Sequence, residues 1–124
     1  MKKIQAPQAP KAIGPYSAAI RIGNLLFCSG QTPLNPETML RESKTIEEQT
    51  LRALENLEIV LQAEGADRSK VVKTTVFLKN FADFPQMNAV YGDFFGNHKP
   101  ARTTVEVSRL PMDALVEIEC IAEV

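Results

Sequence analysis

Histidine, cysteine and long apolar runs are scarce in this sequence, and each scarcity removes a class of chemistry. The single histidine, His98, stands beside Lys99 and Pro100 in a turn-forming stretch, so spacing supports neither a histidine-based metal site nor a Ser-His-Asp triad, and His98 reads as part of a surface loop. The two cysteines, Cys28 and Cys120, are far apart in sequence and belong to no CxxC pair, which fits reduced structural thiols better than a disulfide framework. No stretch approaches the length of a membrane span, and Met1-Lys2-Lys3 runs into Gln5, Pro7, Gln8 and Pro10 rather than an apolar segment. A cytoplasmic protein is expected. Excess positive charge is missing too: 14 Lys and Arg face 15 Asp and Glu, a net charge of -1, which argues against nucleic-acid and membrane partners. No GxGxxG, GK[ST] or HExxH motif occurs, so the common nucleotide and zinc signatures are absent.

What is present suits one domain over 1–124, with a single core. Residues 1–17 are rich in Pro, Ala and Gln and end in Ile13-Gly14-Pro15-Tyr16-Ser17, an extended arm closing in a turn. Ala18 to Ile22 and Leu25 to Ser29 are short β-like runs joined by Gly23-Asn24, which tolerate the positive φ of a tight hairpin. A polar loop over 30–43 follows. Thr45 and Glu48 then form a capping box that opens a long helix, with Leu51, Leu54, Leu57, Val60 and Leu61 on one face and Gly65 as its stop. Val71 to Lys79 reads as a strand. Asp83 to Phe95 reads as a second helix, with Phe84, Met87, Val90, Tyr91, Phe94 and Phe95 at helical spacing and Pro85 confined to the first turn. Arg102 to Val107 and Val116 to Val124 are two last strands around a Leu110-Pro111 turn.

This β-β-α-β-α-β-β order predicts an α+β fold, a single sheet with both helices on one face. Such a sheet has a second face to cover. Val116, Ile118, Cys120, Ala122 and Val124, on one side of the last strand, are too apolar for water, which predicts burial of the second face by self-association.

The last two strands also hold the constellation that points to chemistry. Period-two geometry sets Arg102, Thr104 and Glu106 on one face, and Glu117 and Glu119 on one face of the next strand. Arg102 can grip a substrate carboxylate through two parallel hydrogen bonds, or close a cross-strand salt bridge to Glu117 or Glu119. Glu117 suits acid or base work if it is desolvated, and is otherwise an ordinary solvated carboxylate. Tyr16 offers a hydroxyl to a ligand or to its own turn. Ser29-Gly30-Gln31 offers amides to an anion or simply ends a strand, and Asn88 serves a ligand or a polar helix neighbour. Pattern alone leaves each alternative open.

Taken in order, Gly14-Pro15-Tyr16-Ser17, Ser29-Gly30-Gln31, Asn88 with Tyr91 and Phe94-Phe95, Pro100-Ala101-Arg102, and Arg109-Leu110-Pro111 with Val116-Glu117-Ile118-Glu119 closely resemble the RidA family, also called the YjgF family. The similarity spans nearly the whole chain. It implies a chorismate-mutase-like single mixed sheet and a homotrimer whose sheets form a central barrel, with ligand clefts between neighbouring subunits. It also implies hydrolysis of 2-aminoacrylate and related enamines or imines to 2-keto acids and ammonia, with no metal or other cofactor. On that resemblance Arg102 would bind the substrate carboxylate, Glu117 would position or activate water, and Tyr16 would order the site. Ser29, Gly30, Asn88 and Thr104 would line the cleft around a small imino or keto acid. Many members carry Cys where this chain has Thr104, which argues against an essential thiol at that position. Two other functions stay open: noncatalytic, regulatory binding of small carboxylates with Glu117 structural, and ribonuclease or translation-inhibitor activity, which the charge balance does not support.

Overall fold

The computed structural model describes residues 1–124. Six strands and two α-helices follow one another as β1 (Lys2–Ile4), β2 (Ala19–Ile22), β3 (Leu25–Gln31), α1 (Ile46–Gln62), β4 (Val71–Leu78), α2 (Phe84–Phe95), β5 (Ala101–Glu106) and β6 (Val116–Glu123). The strands form one sheet in the order β1-β2-β3-β6-β4-β5. All neighbours are antiparallel except β4 and β5, which run parallel because α2 carries the chain back between them. The fold is therefore α+β with a mixed sheet, and both helices lie on one face of it.

Local signals explain most of the elements. Thr45 caps α1 by accepting a hydrogen bond from the Glu48 amide at 3.1 Å, while the Glu48 carboxylate reaches the Lys44 amide at 3.4 Å. Gly65, at φ 72°, turns the chain after α1, where the Ala66 amide returns to the Leu61 carbonyl at 3.1 Å. Gly23, at φ 57°, makes the β2–β3 hairpin, with Ile22 opposite Leu25. The core fills the space between the helices and the sheet residues that face them: Leu26, Val76, Leu78, Val116, Ile118, Cys120 and Ala122, closed by Leu54, Leu57, Leu61, Met87, Tyr91 and Phe95.

Several expectations change. The N-terminal arm contributes a strand, because Lys2–Ile4 pairs with Ala19–Arg21 and buries Ile4. Strand β3 runs on to Gln31 through an irregularity between Cys28 and Gln31, so the loop begins later than the sequence indicates. Leu51 is 44% exposed, and the buried stripe of α1 instead includes two amides, Gln49 and Asn56. The Asn56 amide nitrogen donates to the Thr32 and Leu34 carbonyls at 3.1 and 2.9 Å. Gln49 donates to the Ser43 carbonyl at 3.1 Å and accepts from the Leu115 amide at 2.8 Å. These bonds pin the long loop after β3 and the entrance to β6 onto α1. Cys28 and Cys120, distant in sequence, are register partners on adjacent strands and stay buried free thiols.

The largest correction concerns β5 and β6, which are not neighbours: β4 lies between them. The apolar side of β6 is also not the second face. Val116, Ile118, Cys120 and Ala122 are buried beneath the helices. The face that the helices leave open carries Glu117, Glu119 and Ile121 from β6, with Phe27, Phe77 and Val105 in register beside them. Ile22, Leu25, Phe27 and Val105 are exposed there, so the apolar open face exists, but different residues build it.

Candidate functional site

The expected site residues fall into two groups. The first surrounds Glu117 on the open face. Tyr16, Ser29, Gly30 and Glu117 line a cavity of about 620 Å³ between the N-terminal arm, the end of β3 and the turn before β6. Gly30 matters by having no side chain: a Cβ there would stand 3.1 Å from Glu117 Cδ and 3.2 Å from Cγ. The carboxylate is half-buried and takes part in none of the chain's ion pairs. Burial, and secondarily the charge of Glu119, push its pKa above the usual carboxylate value. Glu117 is thus poised to hold or exchange a proton nearer neutrality than a solvated glutamate does.

The hydroxyls beside it serve the chain's own backbone. Ser29 Oγ donates to the Ser17 carbonyl at 2.7 Å, holding the arm against β3. Tyr16 accepts from the Ile13 amide at 3.3 Å, closing its turn, while its ring stays largely exposed at the cavity.

The second group surrounds Arg102 on the helix face of the edge strand β5. Asn88 and Arg102 line a smaller cavity of about 400 Å³, together with Tyr91, His98 and Lys99. Arg102 Nη1 donates to Asn88 Oδ1 at 2.8 Å. The guanidinium lies 4.7 Å from the Tyr91 ring centroid and 5.5 Å from that of Phe84. Tyr91 is itself fixed by a 2.7 Å hydrogen bond with Thr74. Every partner of Arg102 is therefore uncharged, and its positive charge is unneutralised within the chain. Thr104 shares this face but lines neither cavity, and its hydroxyl is buried without a hydrogen-bond partner. His98 is half-buried rather than part of a free loop, with a ring nitrogen hydrogen-bonded to the Val71 carbonyl.

The expected cross-strand salt bridge does not form. Arg102 is in register with Thr74, and Thr74 with Cys120, whereas Glu117 is in register with Phe77. Two strand spacings and three residues of offset put the two Cα atoms roughly 14 Å apart, with side chains on opposite faces. One chain does not bring its arginine and its glutamate to one ligand.

Sequence reasoning missed the parts that hold the Glu117 cavity in shape: Asn56 and Gln49 beneath the loop, and Arg41, whose Nε donates to the carbonyl of the cavity residue Met112 at 3.0 Å. Polar residues on the apolar stripe of α1 were the readable signal for the first two. No three His, Cys, Asp or Glu side chains gather closely enough to hold a metal ion.

The mixed sheet under two helices, with a carboxylate cleft on one face and a guanidinium cleft on the other, sets the class as a chorismate-mutase-like α+β protein. Residues 6–124 match the family model described as Endoribonuclease L-PSP. The chain belongs to that family, the RidA or YjgF family of the sequence resemblance. A RutC family protein of Pyrococcus abyssi is 53% identical over 93% of this chain and 91% of its own length. The chloroplastic Reactive Intermediate Deaminase A of Arabidopsis thaliana is 47% identical over 96% of this chain and 64% of its own. The crystal structure of Escherichia coli TdcF with bound serine superposes with a TM-score of 0.95 at 38% identity, covering 100% of this chain and 99% of that one. No helix of the protein is long and apolar enough to cross a membrane.

Proposed function

We propose that this protein is a hydrolytic deaminase that converts reactive enamines and imines, such as 2-aminoacrylate, to 2-keto acids and ammonia. The observation that carries this reading is Glu117: a half-buried carboxylate with a raised pKa, free of counter-ions, on a cavity wall that a glycine keeps open. The Arabidopsis relative named as a reactive intermediate deaminase and the TdcF structure with an amino acid bound support the same chemistry.

After the enamine tautomerises to the imine, water adds to the C=N carbon, and the carbinolamine expels ammonia as the keto acid forms. The demands on the protein are placement and two proton transfers. Glu117 takes the proton from the attacking water and returns one to the departing nitrogen. Arg102, held between Asn88 and two aromatic rings, binds the substrate carboxylate with its unneutralised fork. Tyr16 and the backbone at Ser29 and Gly30 complete the cleft.

Since the two groups face away from each other in one chain, the working site combines Arg102 of one copy with Glu117 of a neighbour. Strand β5 is a sheet edge, so its cleft opens at the rim where a copy docked on the apolar open face arrives. A closed trimer is the proposed assembly.

The test is keto-acid release from freshly generated 2-aminoacrylate by wild type, Arg102→Ala and Glu117→Ala, each confirmed folded and equally assembled. Wild type accelerates release, and each variant loses about 100-fold or more. Refolding the two variants together in equal amounts restores about one quarter of the sites, the product of two independent chances of a half for a cleft shared between subunits. No recovery sinks the shared cleft. If wild type accelerates hydrolysis of no amino-acid-derived imine, the deaminase reading fails and noncatalytic binding of small carboxylates takes its place.

A further inference from the structure

The Glu117 cavity has an apolar wall that water addition to an imine does not require. That wall consists of Ile13, Leu34, Met39, Phe77 and Met112, while Lys11, Gln31 and Thr32 are among the polar residues that line the rest. A three-carbon imine presents only a methyl group and leaves such a wall largely unused.

Two of those residues are conformationally unusual. Only three non-glycine residues of the chain have positive φ, and two of them are Met39, at 61°, and Met112, at 58°; the third is Asp113, at 51°. A left-handed backbone disfavours an L residue with a long side chain, and it persists where the surroundings over-determine it. Both loops are fixed in that way. The Met39 amide donates to the Asn35 carbonyl at 2.8 Å, and the Asn35 amide donates to the Leu40 carbonyl at 2.9 Å. Asn35 Oδ1 accepts from the Glu37 and Thr38 amides at 2.8 and 3.3 Å. Arg41, two residues past Met39, donates through Nε to the Met112 carbonyl at 3.0 Å, tying one loop to the other. The bridge fixes the relative position of two strained backbone sites whose side chains border one cavity.

From this geometry we infer that Met39 and Met112 form the side-chain subsite of the deaminase, selecting 2-imino acids with aliphatic or thioether side chains, such as those of leucine and methionine, over 2-iminopropanoate. The inference rests on the deaminase reading, because it takes the imine carbon to lie beside Glu117. Methionine is well suited to such a wall, since its unbranched thioether adapts to side chains of differing shape. The lining carries two carboxylates, Glu117 and Glu119, against one cation, Lys11, and this balance acts against an acidic substrate side chain, so the imines of aspartate and glutamate belong among the poor substrates.

The experiment generates imines in place from alanine, leucine, methionine and glutamate with an amino-acid oxidase and catalase, then compares kcat/KM for keto-acid release. The expected ratio of leucine-derived to alanine-derived imine is about tenfold or more, the scale on which apolar pockets discriminate methylenes. Met112→Asn removes the apolar side chain while keeping a residue that accepts left-handed backbone, and it lowers that ratio by about tenfold. Met112→Leu keeps the ratio near the wild-type value. Turnover of alanine- and leucine-derived imines at equal efficiency, or an unchanged ratio in Met112→Asn, overturns the subsite and leaves the deaminase reading standing. Absence of turnover on every imine overturns both.

Discussion

Gly30→Ala tests the placement of the Glu117 carboxylate with a single methyl group. The new Cβ would lie 3.1 Å from Glu117 Cδ, 3.2 Å from Cγ and 3.4 Å from Oε1. The two carbon contacts fall about 0.4 Å inside ordinary carbon–carbon separation, so the carboxylate must give way by about that much. The backbone is not the obstacle, because Gly30 is not among the glycines with positive φ and alanine fits its conformation. Alanine also restricts the unfolded chain, which stabilises by about 0.4–1 kcal/mol. Crowding against a half-buried, flexible side chain costs about 1–2 kcal/mol. The net expectation is a loss of about 1 kcal/mol, a few degrees in Tm.

Catalysis is the more sensitive readout. A misplacement of 1 Å costs about 100-fold, so a shift of about half that size lowers kcat/KM about tenfold. The assay pairs keto-acid release with urea denaturation, in wild type and in a Glu117→Ala background. With the carboxylate removed, adding Gly30→Ala should neither destabilise the protein nor lower the residual rate further. Full activity in Gly30→Ala, or an equal stability loss in both backgrounds, refutes the contact argument.

Four other outcomes follow. Burial raises the Glu117 pKa above 4.5, so the folded chain binds more protons than the unfolded chain between that value and the raised one. The contribution of this group turns unfavourable as pH rises through the window; Glu117→Gln therefore melts higher than wild type at neutral pH and equally well below pH 4.5, while Glu119→Gln moves the acid limb of activity to lower pH. Asn56→Ala strips the Thr32 and Leu34 carbonyls of their donor and should cost about 2–4 kcal/mol in urea denaturation. Arg102→Lys keeps the charge but loses the fork and the ring contacts, so KM rises about tenfold with kcat little changed, and an equal fall of kcat would place the arginine in the transition state rather than in uniform binding.

Within-strand and within-helix patterns were legible in the sequence because they depend on a residue's neighbours a few positions away. The hairpin turn at Gly23-Asn24, the Thr45 cap and the Met87, Tyr91, Phe94 and Phe95 stripe all appear as expected. Strand partnership was not legible. Period two correctly sets Arg102 with Thr104, and Glu117 with Glu119, but the phase of one strand against another depends on which strands pair. Insertion of β6 between β3 and β4 puts Arg102 in register with helix-facing Thr74 and Glu117 with Phe77 on the open face. The apolar side of β6 was misassigned for the same reason: its residues looked too apolar for water, and they are covered by α1 and α2 rather than by another copy. Family resemblance names these residues as one set, whereas the structure puts Tyr16, Ser29, Gly30 and Glu117 on one cavity, Asn88 and Arg102 on another, and Thr104 on neither.

That separation has an electrostatic consequence for the proposed reaction. Had β5 and β6 been neighbours, Arg102 and Glu117 would have formed the cross-strand ion pair that their pattern suggests. The guanidinium would then hold a carboxylate that the substrate must displace, and its charge would lower the Glu117 pKa, weakening the carboxylate as a proton acceptor near neutral pH. With β4 between them, Arg102 is oriented only by Asn88 and aromatic faces, which leave its charge for a ligand. Glu117 meets burial and Glu119 instead of a cation, and its pKa rises. Under the proposed function, a carboxylate-bearing imine that spans two copies supplies the one negative charge Arg102 lacks without neutralising the base. In the proposed assembly, bringing the two halves together by association, rather than by pairing strands within one chain, keeps the anchor strong and the glutamate basic.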